Sequence, residues 1–410
     1  MQRIHIYTLF DKRTQKPCCT GVLIGDKVIV KEIFRSGAGK PLTKVYESFK
    51  FIHDLIVSAQ ERKITVIISD FKAHLKAFDL PLLKELYEVY DLHLPAVTPQ
   101  SEEQDAKNLG FILRKMATQT PKPYQKIFSN AAVVYEDLER VGLVYNYKPV
   151  SPIYSQKTYS GRSKTMQFNI QGLGEECLIW PTYYGERDIL LHFDWVCADI
   201  RAASYLSGDK KLLQSFAESD PYTFMMHEIN AGSEQKMNRE ECKRYLLQSI
   251  NSMDFTSTAL LDIYPGLGRW IRQVRTQLCE ENGQVETILN RRFTLQGAKN
   301  MLAALNAAMQ GSVAHAMQSA VRQIWEKLGA RLITEIHDSL VICCPPKSDY
   351  IEQIIDEVAN IMLHPFANIM DDGPIFPVNV SMGKKWRKWQ LCRTYRENGV
   401  HRVKKFPPKD

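Results

Sequence analysis

Two aspartates, far apart in the chain, each break an apolar run. Ile189, Leu190 and Leu191 lead into His192, Phe193 and Asp194, while Leu332, Ile333 and Ile336 lead into His337-Asp338-Ser339 before Leu340, Val341 and Ile342 resume. A carboxylate at the end of a buried strand is costly unless a cation or another partner neutralises it. Two such acids invite one shared divalent cation. Mg2+ is held by few carboxylates and completes its shell with water and substrate phosphates, so two aspartates and a triphosphate make a sufficient site. On these segments alone, the other reading is a pair of strand-end surface acids. Between them, Asn238 followed three residues on by Glu241 has the capping-box pattern of a helix start. Arg239 and Lys243 then share a face near the positive end of that helix. Like charges at this spacing cost about 0.2 to 0.5 kcal/mol and oppose the helix dipole; a bound anion reverses the sign.

The elements that must position these residues can be read from the hydrophobic pattern. Strands are expected near Arg3 to Phe10, Thr20 to Ile24 and Lys27 to Ile33. A helix follows over about Thr43 to Gln60, where Val45, Phe49, Ile52, Leu55 and Ile56 recur at three and four. A strand at Lys63 to Ser69, a short helix at Lys72 to Phe78 and a helix over about Glu102 to Met116 complete the order βββαβαα. Pro121 and Pro123 suggest a linker, after which a longer, mostly helical region is interrupted by apolar strands around Ile189 to Val196 and Leu332 to Cys344. Ser36 to Lys40, SGAGK, imitates a phosphate-binding loop, but Phe34 and Pro41 stand where that motif needs Gly and Ser or Thr; it reads as a turn.

Composition bounds the function classes. The 410 residues suit two or three domains. No apolar run approaches the roughly 18 to 20 residues of a membrane helix, so no membrane partner is expected, and the alternating N-terminus lacks a signal-peptide pattern. Nine scattered cysteines with no CxxC pair point to a reducing, cytoplasmic interior. The net charge of +7 is uneven: residues 384 to 410 hold ten Lys or Arg against Glu397 and Asp410, and the rest of the chain sums to −1. Interleaved with Trp386, Trp389, Tyr395 and Phe406, this basic stretch, including Lys384, Lys385, Arg387 and Lys388, suits phosphates and bases; the alternative is a solvated tail.

These residues resemble a known family. Asp194-Trp-Val-Cys-Ala-Asp199-Ile-Arg201, trailed by Leu206-Ser207-Gly208-Asp209, is similar to motif A of the DNA polymerase I family (family A), usually DYSQIELR with a trailing LSGD. Arg239-xxx-Lys243 resembles the start of motif B, and Ile336-His337-Asp338-Ser339-Leu340-Val341 resembles motif C. Smaller collinear matches are Thr158-Tyr-Ser-Gly161-Arg162 with Asn169-Ile170, Tyr264-Pro265, Val285-Glu286-Thr287 with Arg291-Arg292, Asn306-xxx-Gln310-Gly311, and Val378-x-Val380-x-x-Gly383-x-x-Trp386.

The resemblance implies a right-hand polymerase with palm and fingers. Asp194 and Asp338 would bind two Mg2+ ions, with Mn2+ as a substitute, about 3.5 to 4 Å apart. Arg239 and Lys243 would grip the phosphates of a nucleoside triphosphate, and His337 would lie near the primer-terminal phosphate. Arg162, Asn306 and Gln310 would touch primer-template DNA in the minor groove. The implied division is a ribonuclease H-like domain over 1–120 and a polymerase domain over 121–410. Within the latter fall a reduced thumb and palm entry (121–190), palm (191–235 and 305–386), fingers (236–304) and a basic tail (387–410).

Four departures qualify the match. Leu247 and Asn251 stand where the family has aromatic residues, which weakens stacking and packing at the new base pair. Asp199 replaces the Glu that crowds the sugar 2′ position, so ribonucleotide insertion is expected. Only about 15 residues separate Leu143 from Thr158, little room for a thumb. The N-terminal region lacks the look of a proofreading exonuclease; its order, with Glu47, Asp70 and Asp105, is similar to a ribonuclease H fold whose first-strand acid is missing, since Thr8 is followed by Leu9 and Asp11 lies farther on. The resulting expectation is a primer-extending, template-directed DNA polymerase without proofreading, in a bacterial, phage or plasmid setting by analogy. Alternatives are a single-subunit RNA polymerase or primase relative, which Lys243-Arg244 and His337-Asp338-Ser339 also resemble, and an inactive polymerase fold that serves as a nucleic-acid-binding scaffold.

Overall fold

The computed structural model describes residues 3–10, 17–24, 27–32, 42–68, 88–91, 109, 112–113, 116, 122–174, 176–182, 188–232, 236–252, 258–280, 283–294 and 301–402. Ser36 to Lys40, Asp11, Asp70, Asp105, the helix expected at Lys72 to Phe78 and the last eight residues lie outside this set, as does the side chain of Glu47. The chain divides into two compact units, Met1–Asp137 and Leu138–Asp410.

The first unit is an α/β sheet. Its elements are β1 (Arg3–Phe10), β2 (Pro17–Ile24), β3 (Lys27–Glu32), α1 (Leu42–Glu61), β4 (Thr65–Ile68), β5 (Glu88–Asp91) and most of α2 (Pro123–Val141). The sheet order is β3-β2-β1-β4-β5. β1 and β3 each run antiparallel to β2, while β1, β4 and β5 run parallel. Alternation sorts the side chains: Ile4, Ile6, Val22, Val66 and Ile68 pack with Ile52 and Ile56 of α1, and Tyr7, Leu23 and Ile67 pack with Leu109, Leu113 and Met116. Two differences from the sequence reading are instructive. β5 was not anticipated, because four residues with an acid at each end carry too short a pattern. Pro123 opens a helix where a linker was expected; its missing N–H costs nothing in the first turn.

The second unit starts with small sheets. These use β6 (Leu143–Tyr145), β7 (Lys148–Val150), β8 (Tyr154–Ser155), β9 (Lys164–Thr165) and β10 (Ile179–Pro181). Next come β11 (Ile189–Trp195) and a helical cluster of α3 (Ala198–Ser207), α4 (Lys210–Glu218), α5 (Pro221–Gly232), α6 (Arg239–Ser252), α7 (Thr258–Ile263) and α8 (Pro265–Cys279). The hairpin β12 (Gln284–Glu286) and β13 (Arg292–Thr294) precedes α9 (Met301–Leu328), β14 (Leu332–Ile336), β15 (Ser339–Cys344) and α10 (Ser348–Leu363). β16 (Val378–Lys385), β17 (Lys388–Arg396) and β18 (Gly399–Arg402) finish the described chain.

One six-stranded sheet organises this unit, in the order β14-β15-β11-β16-β17-β18, with every neighbouring pair antiparallel. β11 therefore lies inside the sheet, and its residues divide by parity. Phe193 and Trp195 are buried, and Trp195 Nε1 donates to the Met362 carbonyl of α10 at 2.9 Å. Leu190, with Val341 and Cys343, instead packs with Leu143, Ile179 and Trp386. Asp194 shares the parity of Leu190, near the strand end. The α3–α8 cluster closes on its own core of Ile200, Phe216, Met225, Leu246, Tyr264 and Leu267, joined by Ala304 and Leu305 of α9.

The stretch read as a basic tail from residue 387 is, through Arg402, two more strands of this sheet. Its aromatic residues serve packing: Trp386 is fully buried, Tyr395 nearly so, and Trp389 stacks on His192 with ring centroids 4.1 Å apart. Arg393 is also buried and bonds to Glu352 and Asp356 of α10. Lys384, Lys385, Arg387 and Lys388 remain exposed around the β16–β17 turn, where Lys388 lies 3.4 Å from Glu176 and Arg387 donates to the Leu173 carbonyl.

Candidate active site

Sheet register brings the two aspartates together across about 140 residues of sequence. Asp194 on β11 pairs with Ser339 on β15, and the next backbone N–H, that of Trp195, donates to the Asp338 carbonyl at 3.1 Å. Asp338 belongs to the two-residue loop of the β14–β15 hairpin, since Ile336 pairs with Ser339. His337, the other loop residue, takes φ +60, a left-handed conformation that a two-residue hairpin requires. Both carboxylates are mostly shielded from solvent. Burial, and then repulsion from Asp338, push the Asp194 carboxyl up to about 7. Burial and the nearby Asp199 also raise Asp338, against the opposing pull of Arg162 and His337. Two desolvated, mutually repelling carboxylates form a site that favours a cation.

Asp199 stands in the first turn of α3, where the helix dipole suits a carboxylate. Arg162 Nη2 donates to its Oδ1 at 2.8 Å. The sequence reading gave these residues separate roles, one on nucleic acid and one at the sugar; the structure pairs them. The turn that presents Arg162 is held from several sides. Thr158 Oγ1 donates to the Arg162 carbonyl at 2.6 Å, and Gly161, at φ +87, takes a backbone conformation that a side chain would strain. Arg291 donates from both terminal nitrogens to the carbonyls of Ser160 and Tyr159, and Gln318 of α9 donates to the Gly161 carbonyl at 2.8 Å. Gly311 lets α9 approach closely, because a Cβ there would meet Thr287 Cγ2 at 3.0 Å and the Ser160 carbonyl at 3.2 Å. Asn306 and Gln310 lie on the same helix, half-buried.

α6 begins as its sequence dictates. The Asn238 side chain accepts from Glu241 N at 3.0 Å, and Glu241 Oε2 accepts from Asn238 N at 2.7 Å, so the box is reciprocal. This places Arg239 and Lys243 in the first turns. Arg239 Nε donates to Asp220 Oδ2 at 3.2 Å and Nη1 to Glu240 at 2.9 Å, with the guanidinium over the Tyr222 ring. Lys243 has no hydrogen bond or ion pair among the described residues. Both cations lower the pKa of Cys197, which burial and Asp220 nonetheless push up to about 12; Cys197, three residues after Asp194, thus shares the field of both. Leu247 packs on the helical core, and Asn251 lies in the last turn of α6, its side chain outside the described set. Sequence reasoning missed Asp220, although an acid directly before Pro221 is a helix-start signal, and it assigned no role to Arg291.

Parts of the chain are similar to known proteins. The family model described as DNA polymerase family A matches residues 249–388, which include the 306–311 segment and the Asp338 hairpin. Over this segment the chain is similar to DNA polymerase family A. Over 286 residues it is 24% identical to DNA polymerase I of Bacillus caldotenax, an alignment that covers 57% of this chain and 32% of that protein. The chain thus spans about a third of that relative's length. Its fold is similar to the solved POL domain of Pol1 from M. smegmatis, in complex with DNA primer-template and dNTP, with a TM-score of 0.52 at 12% identity over 94% of this chain and 95% of that one. Asp194 lies outside the matched residues and is tied to them by the β11–β15 register.

No helix among the described residues is long and apolar enough to cross a membrane. Nor do the described residues contain a group of three or more His, Cys, Asp or Glu arranged around a metal position. A pair of carboxylates is the smaller donor set that a cation sharing its shell with substrate phosphates needs.

Proposed function

We propose that this chain is a template-directed DNA polymerase that adds deoxynucleotides to a primer 3′ end, and the observation that carries this reading is the meeting of Asp194 on β11 with Asp338 in the loop of the adjacent β14–β15 hairpin, in a chain similar to DNA polymerase family A. Their chemistry fits a divalent cation: both are oxygen donors, both are shielded, and each is destabilised by a neighbouring carboxylate. Asp194 and Asp338 would hold Mg2+, which when bound lowers the pKa of a coordinated hydroxyl and offsets phosphoryl charge. Arg239 and Lys243 bind the triphosphate; an arginine fork meets phosphate oxygens bidentately and a lysine acts as a point charge. Arg162 holds Asp199 and places positive charge beside Asp338. Asn306 and Gln310 on α9 face nucleic acid in this reading, together with the exposed cations of the β16–β17 turn.

The first unit reads as a ribonuclease H-like module. An order of 3-2-1-4-5 with only the second strand antiparallel supports that reading. Thr8, on the first strand, is hydrogen-bonded to Thr20 Oγ1 at 2.8 Å and offers no carboxylate, which supports a module without proofreading activity. The experiment that tests the main reading is extension of a labelled primer on DNA and on RNA templates with each nucleotide set. Extension on DNA is expected; products without a primer would favour the primase-like alternative, and no product under any condition would favour a scaffold.

Sugar selection should be weak. Asp199 is one methylene shorter than the family's Glu and is held by Arg162. A methylene of fit is worth about 1 to 3 kcal/mol of discrimination, so Asp199→Glu is expected to raise the preference for deoxynucleotides by roughly tenfold or more in single-nucleotide insertion assays. A strong deoxy preference in the unaltered chain would contradict this.

The basic contribution to DNA binding needs a different test from truncation, because removing residues after Trp386 would delete β17 and β18 from the sheet. Replacing Lys384, Lys385, Arg387 and Lys388 by Gln keeps the strands. Each side chain that meets a phosphate contributes about 0.9 to the slope of log affinity against log salt on duplex DNA, so a slope lower by about 2 or more is expected. An unchanged slope would remove this turn from the DNA interface.

A further inference from the structure

Asp220 is fixed more firmly than the arginine it touches. It lies before Pro221 at the start of α5, where Oδ1 accepts from Tyr222 N at 3.0 Å and Thr223 N at 3.2 Å, and Oδ2 accepts from Thr223 Oγ1 at 2.8 Å. The same Oδ2 takes Arg239 Nε at 3.2 Å. The start of α5 is itself anchored, because the buried Tyr264 donates its hydroxyl proton to the Pro221 carbonyl at 2.6 Å. Burial alone would raise the Asp220 carboxyl; the Thr223 and Arg239 hydrogen bonds outweigh it and hold the group below the ordinary carboxylate range. Asp220 is thus an ionised, immobile acceptor, 14% exposed.

Arg239 is more loosely held elsewhere. Its second carboxylate partner, Glu240, is 68% exposed and adjacent in sequence, a contact that solvent screens. The Tyr222 ring lies beneath the guanidinium, 5.4 Å from ring centroid to Cζ. An arginine pinned through Nε and supported on one face holds its terminal nitrogens as a fixed fork, the edge that meets a phosphate bidentately; Nη1 would exchange its exposed Glu240 contact for the phosphate. Side-chain rotamer freedom removed in advance does not have to be removed on binding.

We propose that Asp220, with Tyr222 as the supporting plane, is the positioning residue that presents the Arg239 fork to the triphosphate. The proposal rests on the reading of Arg239 as a phosphate-binding residue. Asp220 touches no substrate in this scheme and acts through Arg239 alone. It also accounts for the placement of α5 against α6, since the N-terminus of one helix supplies the acceptor that orients a side chain in the first turn of the other.

The test is Asp220→Asn, since Asn caps a helix as well as Asp does and removes only the charge; Asp220→Ser, another good cap, is the second variant should the first fold poorly. Single-nucleotide insertion and inhibition by inorganic pyrophosphate are measured in the full chain. Loss of one charge-assisted, partly exposed hydrogen bond predicts a KM for dNTP and an inhibition constant for pyrophosphate each raised about five- to tenfold, with kcat changed less and melting temperature within about 3 °C. In an Arg239→Ala background the same change should have no further effect, the signature of a residue that works through its partner. A KM lowered by Asp220→Asn, or an equal effect with and without Arg239, overturns the proposal. If Arg239→Ala weakens both readouts and Asp220→Asn neither, positioning alone fails; if Arg239→Ala changes neither, the assignment of Arg239 to phosphate fails first.

Discussion

Asp338→Asn and Asp194→Asn are each expected to reduce primer extension by at least about a thousandfold while making the protein harder to melt. The activity term follows from the proposed role, because transition-state charge stabilisation by a held cation is worth several kcal/mol and about 4 kcal/mol corresponds to a thousandfold. The stability term comes from the cost of the site. Asp194 is raised to about 7 by burial and by Asp338, and each unit of such a shift corresponds to about 1.4 kcal/mol. The sign is set by proton uptake: between the unfolded value, near 4, and about 7 the folded chain holds a proton that the unfolded chain has lost. Stability therefore falls as pH rises through this window. Asp194→Asn should flatten that decline and raise the melting temperature at pH 8. Added Mg2+ should stabilise the unaltered chain, as any ligand of the folded state does, and have little effect on either variant. Inactive variants that also melt earlier would show instead that the aspartates are structural.

Lys243→Ala is the second large effect. Lys243 lies one turn from Arg239 at the start of α6 and makes no ion pair among the described residues, so its charge is available to a ligand. Removing one preorganised charge partner of a developing anion costs roughly 100- to 1,000-fold in kcat, and a loss in that range is expected in single-turnover insertion, with a higher KM for dNTP. The helix should gain slightly, by about 0.2 to 0.5 kcal/mol, as a like-charge pair near its positive end is relieved. An active Lys243→Ala enzyme would leave Arg239 alone at the phosphates.

Local pattern made some of this site legible and left some of it hidden. The reciprocal bonds of Asn238 and Glu241 follow from side-chain spacing within one turn, and β1 and α1 follow from alternation and from three-four recurrence. Asp194 and Asp338 were conspicuous because each breaks an apolar run. The 388–402 strands were obscured by charge. β17 is bulged against β16 between Val380 and Ser381, and a bulge resets which residues face inward, so Cys392, Arg393, Thr394 and Tyr395 are buried in succession. Arg393, one of the ten cations counted in the basic stretch, is a buried partner of Glu352 and Asp356. The Arg162–Asp199 pair joins a turn to a helix 37 positions away, and Asp220 reaches Arg239 across 19. Neither contact obeys a period, so neither leaves a trace in spacing.

The position of β11 bears on how the molecule is made. Its two neighbours are β15 and β16, about 145 and 190 residues later in the chain, so a growing polypeptide would display an unpaired Ile-Leu-Leu-His-Phe segment until most of the sequence had been synthesised. Such distant pairing slows collapse to the native state and leaves sticky edges open in the meantime. Newly made chains should therefore depend on chaperone capture at this segment, and yield from a cell should respond to expression rate more steeply than the finished protein's resistance to heat would suggest.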